Sequence, residues 1–204
     1  MSPRSALRVP ARLPIAAAIL AALLAAGCAG PALDPSSPCT ADGRAAGAYP
    51  ALEALVPHVF RERQPDRVDS GRNCTAASLG VLTAEGVREL RFAGATWDLG
   101  SSSGVSIAIL EADSLQAGWV AAFYEAGARA ARRSQSVETS STEIDGRPAT
   151  RVDALNGESY QTVLVWQDGL RVRVVIVASF VREIRTKEAH ESVVAEAIAA
   201  ASPG

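Results

Sequence analysis

Three turn signals, spaced eleven and twelve residues apart in the last third of the chain, constrain the fold more than any other feature. An Asp-Gly or Asn-Gly dipeptide begins at Asp145, Asn156 and Asp168. Both dipeptides readily adopt the positive φ angles of tight hairpin turns. The sequence therefore predicts a four-strand antiparallel meander. Its strands are expected at residues 137–144, 147–155, 159–167 and 170–180.

The chain before this meander shows both strand and helix periodicity. Alternating apolar and polar residues predict strands at 87–99 and 105–111, and apolar residues at 3-4 spacing predict a long helix over 114–132. A C-terminal helix is expected after Thr186, and short helices precede the first strand. The predicted fold class is α+β: one antiparallel sheet of about six strands, with the long central helix and the C-terminal helix packed on it.

The N-terminal segment has the pattern of an export signal. Residues 1–14 contain three arginines and no acidic residue, and residues 15–26 form an uninterrupted apolar stretch. A basic leader before a short apolar stretch is typical of a secretory signal peptide. A transmembrane helix would need about 20 apolar residues to cross the bilayer, so this stretch is too short to be one.

The end of the leader, residues 24–28, resembles a bacterial lipobox and reads Leu-Ala-Ala-Gly-Cys. The resemblance implies that residues 1–27 are a lipoprotein signal peptide and that Cys28 receives lipid such as palmitate. Ala25 departs from the large aliphatic residue usual at that position, which leaves ordinary signal-peptidase cleavage near Ala29 or Gly30 as the alternative. We expect an exported protein anchored to the outer face of the bacterial cell membrane, or a periplasmic one if the envelope has two membranes.

The chain after Cys28 divides into a tether and one domain. Residues 28–48 are rich in Pro, Ser, Gly and Ala and are predicted to be a flexible tether, and residues 49–204 a single α+β domain. An oxidising compartment favours a disulfide between the two remaining cysteines, Cys39 and Cys74. The alternative, a reactive thiol or metal ligand, lacks a Cys-x-x-Cys spacing.

No constellation of catalytic or metal-binding residues emerges from the sequence. The histidines are His58, expected to pack partly buried beside a short helix, and His190, expected on a solvated face of the C-terminal helix. The Ser/Gly loop around Ser102 does not join a strand to a helix, as a nucleophile elbow requires. We therefore expect no metal and no cofactor. The net charge of −2 without a basic patch argues against nucleic-acid binding.

Four residues are candidate ligand contacts. Trp97 and Trp166 lie at strand ends and could be exposed, although core packing is the favoured interpretation. Arg171 and Arg173 share one strand face and could bind an anion, although a solvated face is favoured.

The chain from about residue 87 resembles the PsbP-like α/β sandwich of some small actinobacterial lipoproteins. The resemblance rests on Ile-Asp-Gly-Arg-Pro-Ala at residues 144–149, followed by two strands and a terminal helix. It implies a fold and no function. The function expected is a membrane-anchored, non-enzymatic domain that binds a protein or small-molecule ligand. The alternatives are an exported hydrolase with a cryptic site, using Ser102 and His58, and a structural envelope-interaction module.

Overall fold

The structure is a computed structural model, and it describes residues 33–180 and 186–202. The predicted signal peptide, residues 1–27, and the predicted lipidation site at Cys28 lie outside the described residues. The boundaries of the tether and the domain therefore stay predictions.

The described chain forms one eight-stranded antiparallel sheet in the order β1-β2-β3-β4-β8-β7-β6-β5. Its strands are β1 (Gly43–Ala45), β2 (Arg67–Asn73), β3 (Leu90–Gly100), β4 (Ser103–Glu111), β5 (Ser134–Ile144), β6 (Arg147–Asn156), β7 (Ser159–Asp168) and β8 (Arg171–Phe180). The α+β class and the single antiparallel sheet agree with the sequence prediction.

Helices cover both faces of this sheet and produce two separate apolar cores. The helical segments are α1 (Pro50–Glu53), α2 (Ala76–Leu79), a 3-10 helix (Gly80–Glu85), α3 (Ala117–Ala130) and α4 (Lys187–Ala201). One core forms between the sheet and α1 with α4. The other forms between the sheet and α2, the 3-10 helix and α3. The domain is thus a three-layer sandwich with the sheet in the middle.

The C-terminal meander is confirmed. Asp145 and Gly146 have φ angles of 51° and 74°, and Gly157 and Gly169 have 63° and 62°, so each hairpin uses the left-handed backbone that its turn signal predicts. Strand β8 pairs with β4 on one side and β7 on the other, and eight of its ten residues are buried. It forms the centre of the sheet.

The predicted count of about six strands is wrong, because β1 and β2 precede the part of the chain where strands were expected. β2 contains polar residues and Gly71, and it lacks a continuous apolar alternation. A Cβ atom at Gly71 would collide with the carbonyl oxygen of Gly43, so the close pairing of β1 with β2 depends on this glycine.

Residues before β2 are held against the sheet by a covalent bond and by two polar clusters. A disulfide joins Cys39 to Cys74, whose Cα atoms are 5.4 Å apart, which confirms the predicted pair. The carboxylate of Asp42 accepts hydrogen bonds from the backbone N–H groups of Cys74 and Thr75, at 2.6 and 2.9 Å. Residues 39–45 therefore contact the folded domain.

The second cluster surrounds Arg72, which is only 3% exposed. Its guanidinium donates hydrogen bonds to the carbonyl oxygens of Asp34, Ser37 and Pro38. Through these hydrogen bonds, the chain contacts the sheet as far back as residue 34. Among the residues that the structure describes, no helix is long and apolar enough to cross a membrane.

Candidate functional site

An apolar cavity of about 100 Å³ lies between α3 and the strands β2 to β4. The residues that line it are Arg44, Asp69, Asn73, Leu82, Leu90, Phe92, Gly94, Ala95, Thr96, Ser106, Ile107, Ala108, Leu110, Val120, Phe123, Tyr124 and Ile176. We call it the apolar cavity.

The apolar cavity exists because the sheet presents small side chains where α3 crosses it. Gly94 of β3 pairs with Ala108 of β4, and Thr96 pairs with Ser106. These four residues alternate with larger ones that face α4 on the opposite side of the sheet, such as Trp97. The small side chains leave the space under α3 unfilled.

Polar groups stand at the edge of the apolar cavity. The hydroxyl of Tyr124 makes no hydrogen bond within the described residues, and desolvation raises its pKa to about 12, so it stays protonated at neutral pH. Asp69 is 8% exposed and forms ion pairs with Arg67 at 2.6 Å and Arg44 at 3.6 Å. The cavity therefore combines an apolar interior with an available hydroxyl and a charged rim.

A buried polar network lies on the opposite face of the sheet, under α4. His190 is only 2% exposed, and its Nδ1 and Nε2 atoms lie 2.8 Å from Ser179 Oγ and 2.9 Å from Thr162 Oγ1. Thr162 Oγ1 in turn donates to Asp153 Oδ1 at 2.5 Å. Both hydroxyl residues are also buried, whereas the carboxylate of Asp153 reaches the surface.

The hydrogen bonds of this network fix the tautomer of His190. A threonine hydroxyl has one proton, and Thr162 gives it to Asp153, so Thr162 must accept from an Nε2–H group. Nδ1 is then the acceptor for the hydroxyl proton of Ser179. Burial lowers the pKa of His190, which agrees with a neutral ring.

Arg151 connects the network to α4. Its guanidinium binds both oxygens of Asp153, at 2.6 and 2.9 Å, and both oxygens of Glu191, at 2.9 and 2.6 Å. Burial alone would raise the pKa of Asp153, but the hydrogen bonds from Arg151 and Thr162 outweigh it and lower that pKa. Such bidentate pairs hold their side chains in a fixed geometry.

The four predicted ligand contacts line neither this network nor the apolar cavity. Trp97 and Trp166 are 0% and 1% exposed and belong to the core. Arg171 pairs with Glu111 at 2.9 Å. Arg173 is 6% exposed and donates to the carboxylate of Asp168 and to the carbonyl of Ala201, so it joins β8 to the end of α4.

Two expectations about histidine are wrong. His190 does not lie on a solvated helix face, because it occupies the same inward stripe of α4 as Val193, Val194 and Ala197. That spacing is visible in the sequence and indicates burial. His58 is exposed rather than packed, and so is Ser102, and no hydrogen bond joins the two within the described residues.

The fold and these two places define an α+β sandwich domain with an apolar cavity on one side of its sheet and a buried polar network on the other. No protein-family model matches the chain, and no curated protein matches it in sequence. Among solved structures, the chain is similar to the solution structure of cyanobacterial PsbP (CyanoP) from Synechocystis sp. PCC 6803. The TM-score is 0.37 and the identity 12%, over 84% of this chain and 96% of that chain.

Proposed function

We propose that this chain is an exported lipoprotein, anchored to a bacterial membrane through Cys28, whose domain binds a small apolar molecule in the apolar cavity without transforming it. The disulfide between Cys39 and Cys74 supports an extracytoplasmic location, because such bonds persist in oxidising compartments. The lipobox-like segment that ends at Cys28 supports the anchor.

The apolar cavity is the observation that carries the binding function. Binding sites for small molecules are typically apolar with a few polar groups that orient the ligand. A dry apolar cavity of roughly 150 Å³ holds benzene. The apolar cavity is smaller, about 100 Å³, so a larger ligand would insert one ring and extend through the open rim. The hydroxyl of Tyr124 is the group available to orient a ligand there, because no described residue hydrogen-bonds it.

A hydrolase is the second candidate, and the hydrogen-bonded series Ser179–His190–Thr162–Asp153 favours it in part. A serine that donates to a histidine is the first requirement of nucleophilic catalysis. Ser179, however, is 0% exposed, so no substrate carbonyl can reach its Oγ atom in this structure. Ser102 and His58, the pair expected from the sequence, form no such contact. Binding without reaction is therefore the better proposal.

An envelope-interaction module would need a contiguous exposed apolar surface of several hundred Å². Among the described residues, the exposed large apolar side chains are Val59, Val81 and Leu170. They lie in three separate segments: the loop after α1, the 3-10 helix and the turn before β8. The surface thus gives less support to this alternative than the cavity gives to ligand binding.

The binding proposal is tested by filling the apolar cavity. Ala108→Leu places a larger side chain on its floor, and we expect it to weaken binding of a small aromatic probe, such as indole, at least about tenfold. Ala122→Leu makes the same change on the exposed side of α3 and is the matched control. Indole affinity is measured by chemical-shift titration of both folded variants. Equal affinity in the two variants, or no indole binding by the wild type, contradicts the proposal.

The anchor is tested separately by metabolic labelling with palmitate in a bacterial host. Cys28→Ala is expected to abolish the label. Ala25→Leu, which supplies the large aliphatic residue usual in a lipobox, is expected to keep it. Label that persists in Cys28→Ala would show that the lipid is attached elsewhere.

A further inference from the structure

A second cavity, of about 140 Å³, opens on the α4 side of the sheet, beside the buried network. Its lining residues are Ser136, Glu138, Asp153, Ala154, Leu155, Tyr160, Gln161, Thr162, Lys187, His190 and Glu191. We call it the polar cavity. Its lining comes from β5, β6, β7 and the first turn of α4, whereas the apolar cavity lies beneath α3 on the other face.

Most of the charge around the polar cavity is already neutralised. Asp153 and Glu191 are both committed to the guanidinium of Arg151. Glu138 and Lys187 are different, because neither makes a hydrogen bond or an ion pair within the described residues, although both line the cavity. The polar cavity therefore presents a carboxylate and an ammonium group without a direct partner, although Lys187 also attracts Asp153 at longer range.

Uncharged polar groups are also available on the wall of the polar cavity. The hydroxyls of Ser136 and Tyr160 and the side-chain amide of Gln161 have no hydrogen-bond partner within the described residues. The ring of Tyr160 is held against His190, with ring centroids 5.8 Å apart. Ala154 and Leu155 contribute the apolar part of the lining. This wall suits a ligand with a polar backbone and a small side chain.

We propose that the polar cavity binds a small zwitterion of the α-amino-acid class, with its ammonium group at Glu138 and its carboxylate at Lys187. A simple cation would use only Glu138 and a simple anion only Lys187, whereas a zwitterion contacts both. The rigid Arg151 pairs keep Asp153 and Glu191 from competing for the ligand. The cavity holds about four or five waters at roughly 30 Å³ each, which is room for a ligand about as large as a single small amino acid.

The test is calorimetric titration of the wild-type domain with L-alanine. L-alaninamide, which has only the positive charge, and N-acetyl-L-alanine, which has only the negative charge, are expected to bind at least about tenfold more weakly. Glu138→Gln and Lys187→Met are expected to weaken L-alanine binding by a similar factor. Glu143→Gln, an exposed glutamate of the same strand that does not line the cavity, is the matched control and should bind L-alanine as the wild type does.

The result is independent of the apolar cavity, because Ala108→Leu is expected to weaken indole binding and leave L-alanine binding unchanged. Both charge variants change exposed side chains, so they should fold. The proposal is overturned if the wild type gives no binding heat with L-alanine, if either singly charged analogue binds as tightly, or if neither charge variant loses affinity. Tight binding of glycerol would also overturn it, because glycerol would need only the uncharged groups.

Discussion

Acidification from about pH 7.5 to about pH 5 is expected to destabilise the domain through His190. The chain has two histidines, of which His58 is exposed and His190 buried. A protonated His190 would donate from both ring nitrogens, so Ser179 would have to give up its hydrogen bond to Nδ1 and turn its hydroxyl to accept one instead. Burial, which disfavours the charged ring, is the main reason that the pKa of His190 is lowered.

The charges that face His190 oppose each other. Glu191 and Asp153 favour a proton on its ring, whereas Arg151 and Lys187 disfavour it. Because Arg151 is paired with both carboxylates, much of their attraction is offset. Burial therefore decides the direction of the shift.

The sign and the ceiling of the effect follow from proton linkage. Above pH 6.5, the ordinary pKa of histidine, both folded and unfolded chains hold neutral His190, and it contributes nothing to the pH dependence. Below that pH the unfolded chain takes up a proton more readily than the folded domain, whose His190 has the lower pKa. Stability then falls by at most about 1.4 kcal/mol per pH unit, which sets a ceiling of about 2 kcal/mol by pH 5.

Urea unfolding at both pH values measures this loss of stability. His58→Asn is the matched control, and it should lose as much stability on acidification as the wild type does. His190→Asn should lose the dependence. If that variant does not fold, the imidazole resonances of His190 in the folded wild type give its pKa directly. A wild type equally stable at both pH values, or a folded His190 that titrates at or above its ordinary pKa, refutes the reasoning. Asp153 does not confuse the result, because its lowered pKa places its titration below 3.8.

Three further predictions concern the N-terminal edge of the sheet. Reduction of the Cys39–Cys74 disulfide, which spans a sequence separation of 35, should lower the free energy of unfolding by roughly 3–4 kcal/mol, measured by urea unfolding with and without reductant. Gly71→Val should release β1 from β2, because its side chain would meet the backbone of β1, and hydrogen exchange of the β1 amides should rise while that of β8 does not. Asp42→Ala removes the acceptor of two backbone N–H groups and should cost about 1–2 kcal/mol, whereas Asp42→Asn should restore part of the loss. The first prediction is contradicted if reductant leaves urea unfolding unchanged, and the second if hydrogen exchange of the β1 amides does not rise in Gly71→Val. The third is contradicted if Asp42→Ala unfolds at the same urea midpoint as the wild type.

The meander is predictable because its turns are specified locally. Asp145-Gly146 and the two later dipeptides adopt positive φ with little help from distant parts of the chain. β1 and β2 are different, because their pairing depends on a glycine at residue 71 and on a disulfide between distant residues. The local sequence of β2 has no apolar alternation from which a strand could be inferred.

The two cavities could not be predicted from the sequence either, because each is formed by residues that are distant from one another along the chain. The apolar cavity requires Gly94 and Ala108 to be side by side, which is known only once the register of β3 and β4 is known. The buried network likewise joins Thr162 and Ser179 of neighbouring strands to His190 of α4. Only the spacing of His190 from Val193 and Ala197 was available in the sequence as a sign of burial.

Under the proposed anchoring through Cys28, the contacts of Arg72 set how far the domain can stand from the membrane. They hold the carbonyl of Asp34, so the only span left between a lipid on Cys28 and the sheet is six residues, at most about 20 Å when fully extended. The mouth of the apolar cavity is formed in part by Arg44 and Asn73, which belong to the same edge of the sheet. With the proposed anchor, so short a connection keeps this edge of the sheet near the lipid headgroups, and an apolar ligand then passes directly between the bilayer and the protein.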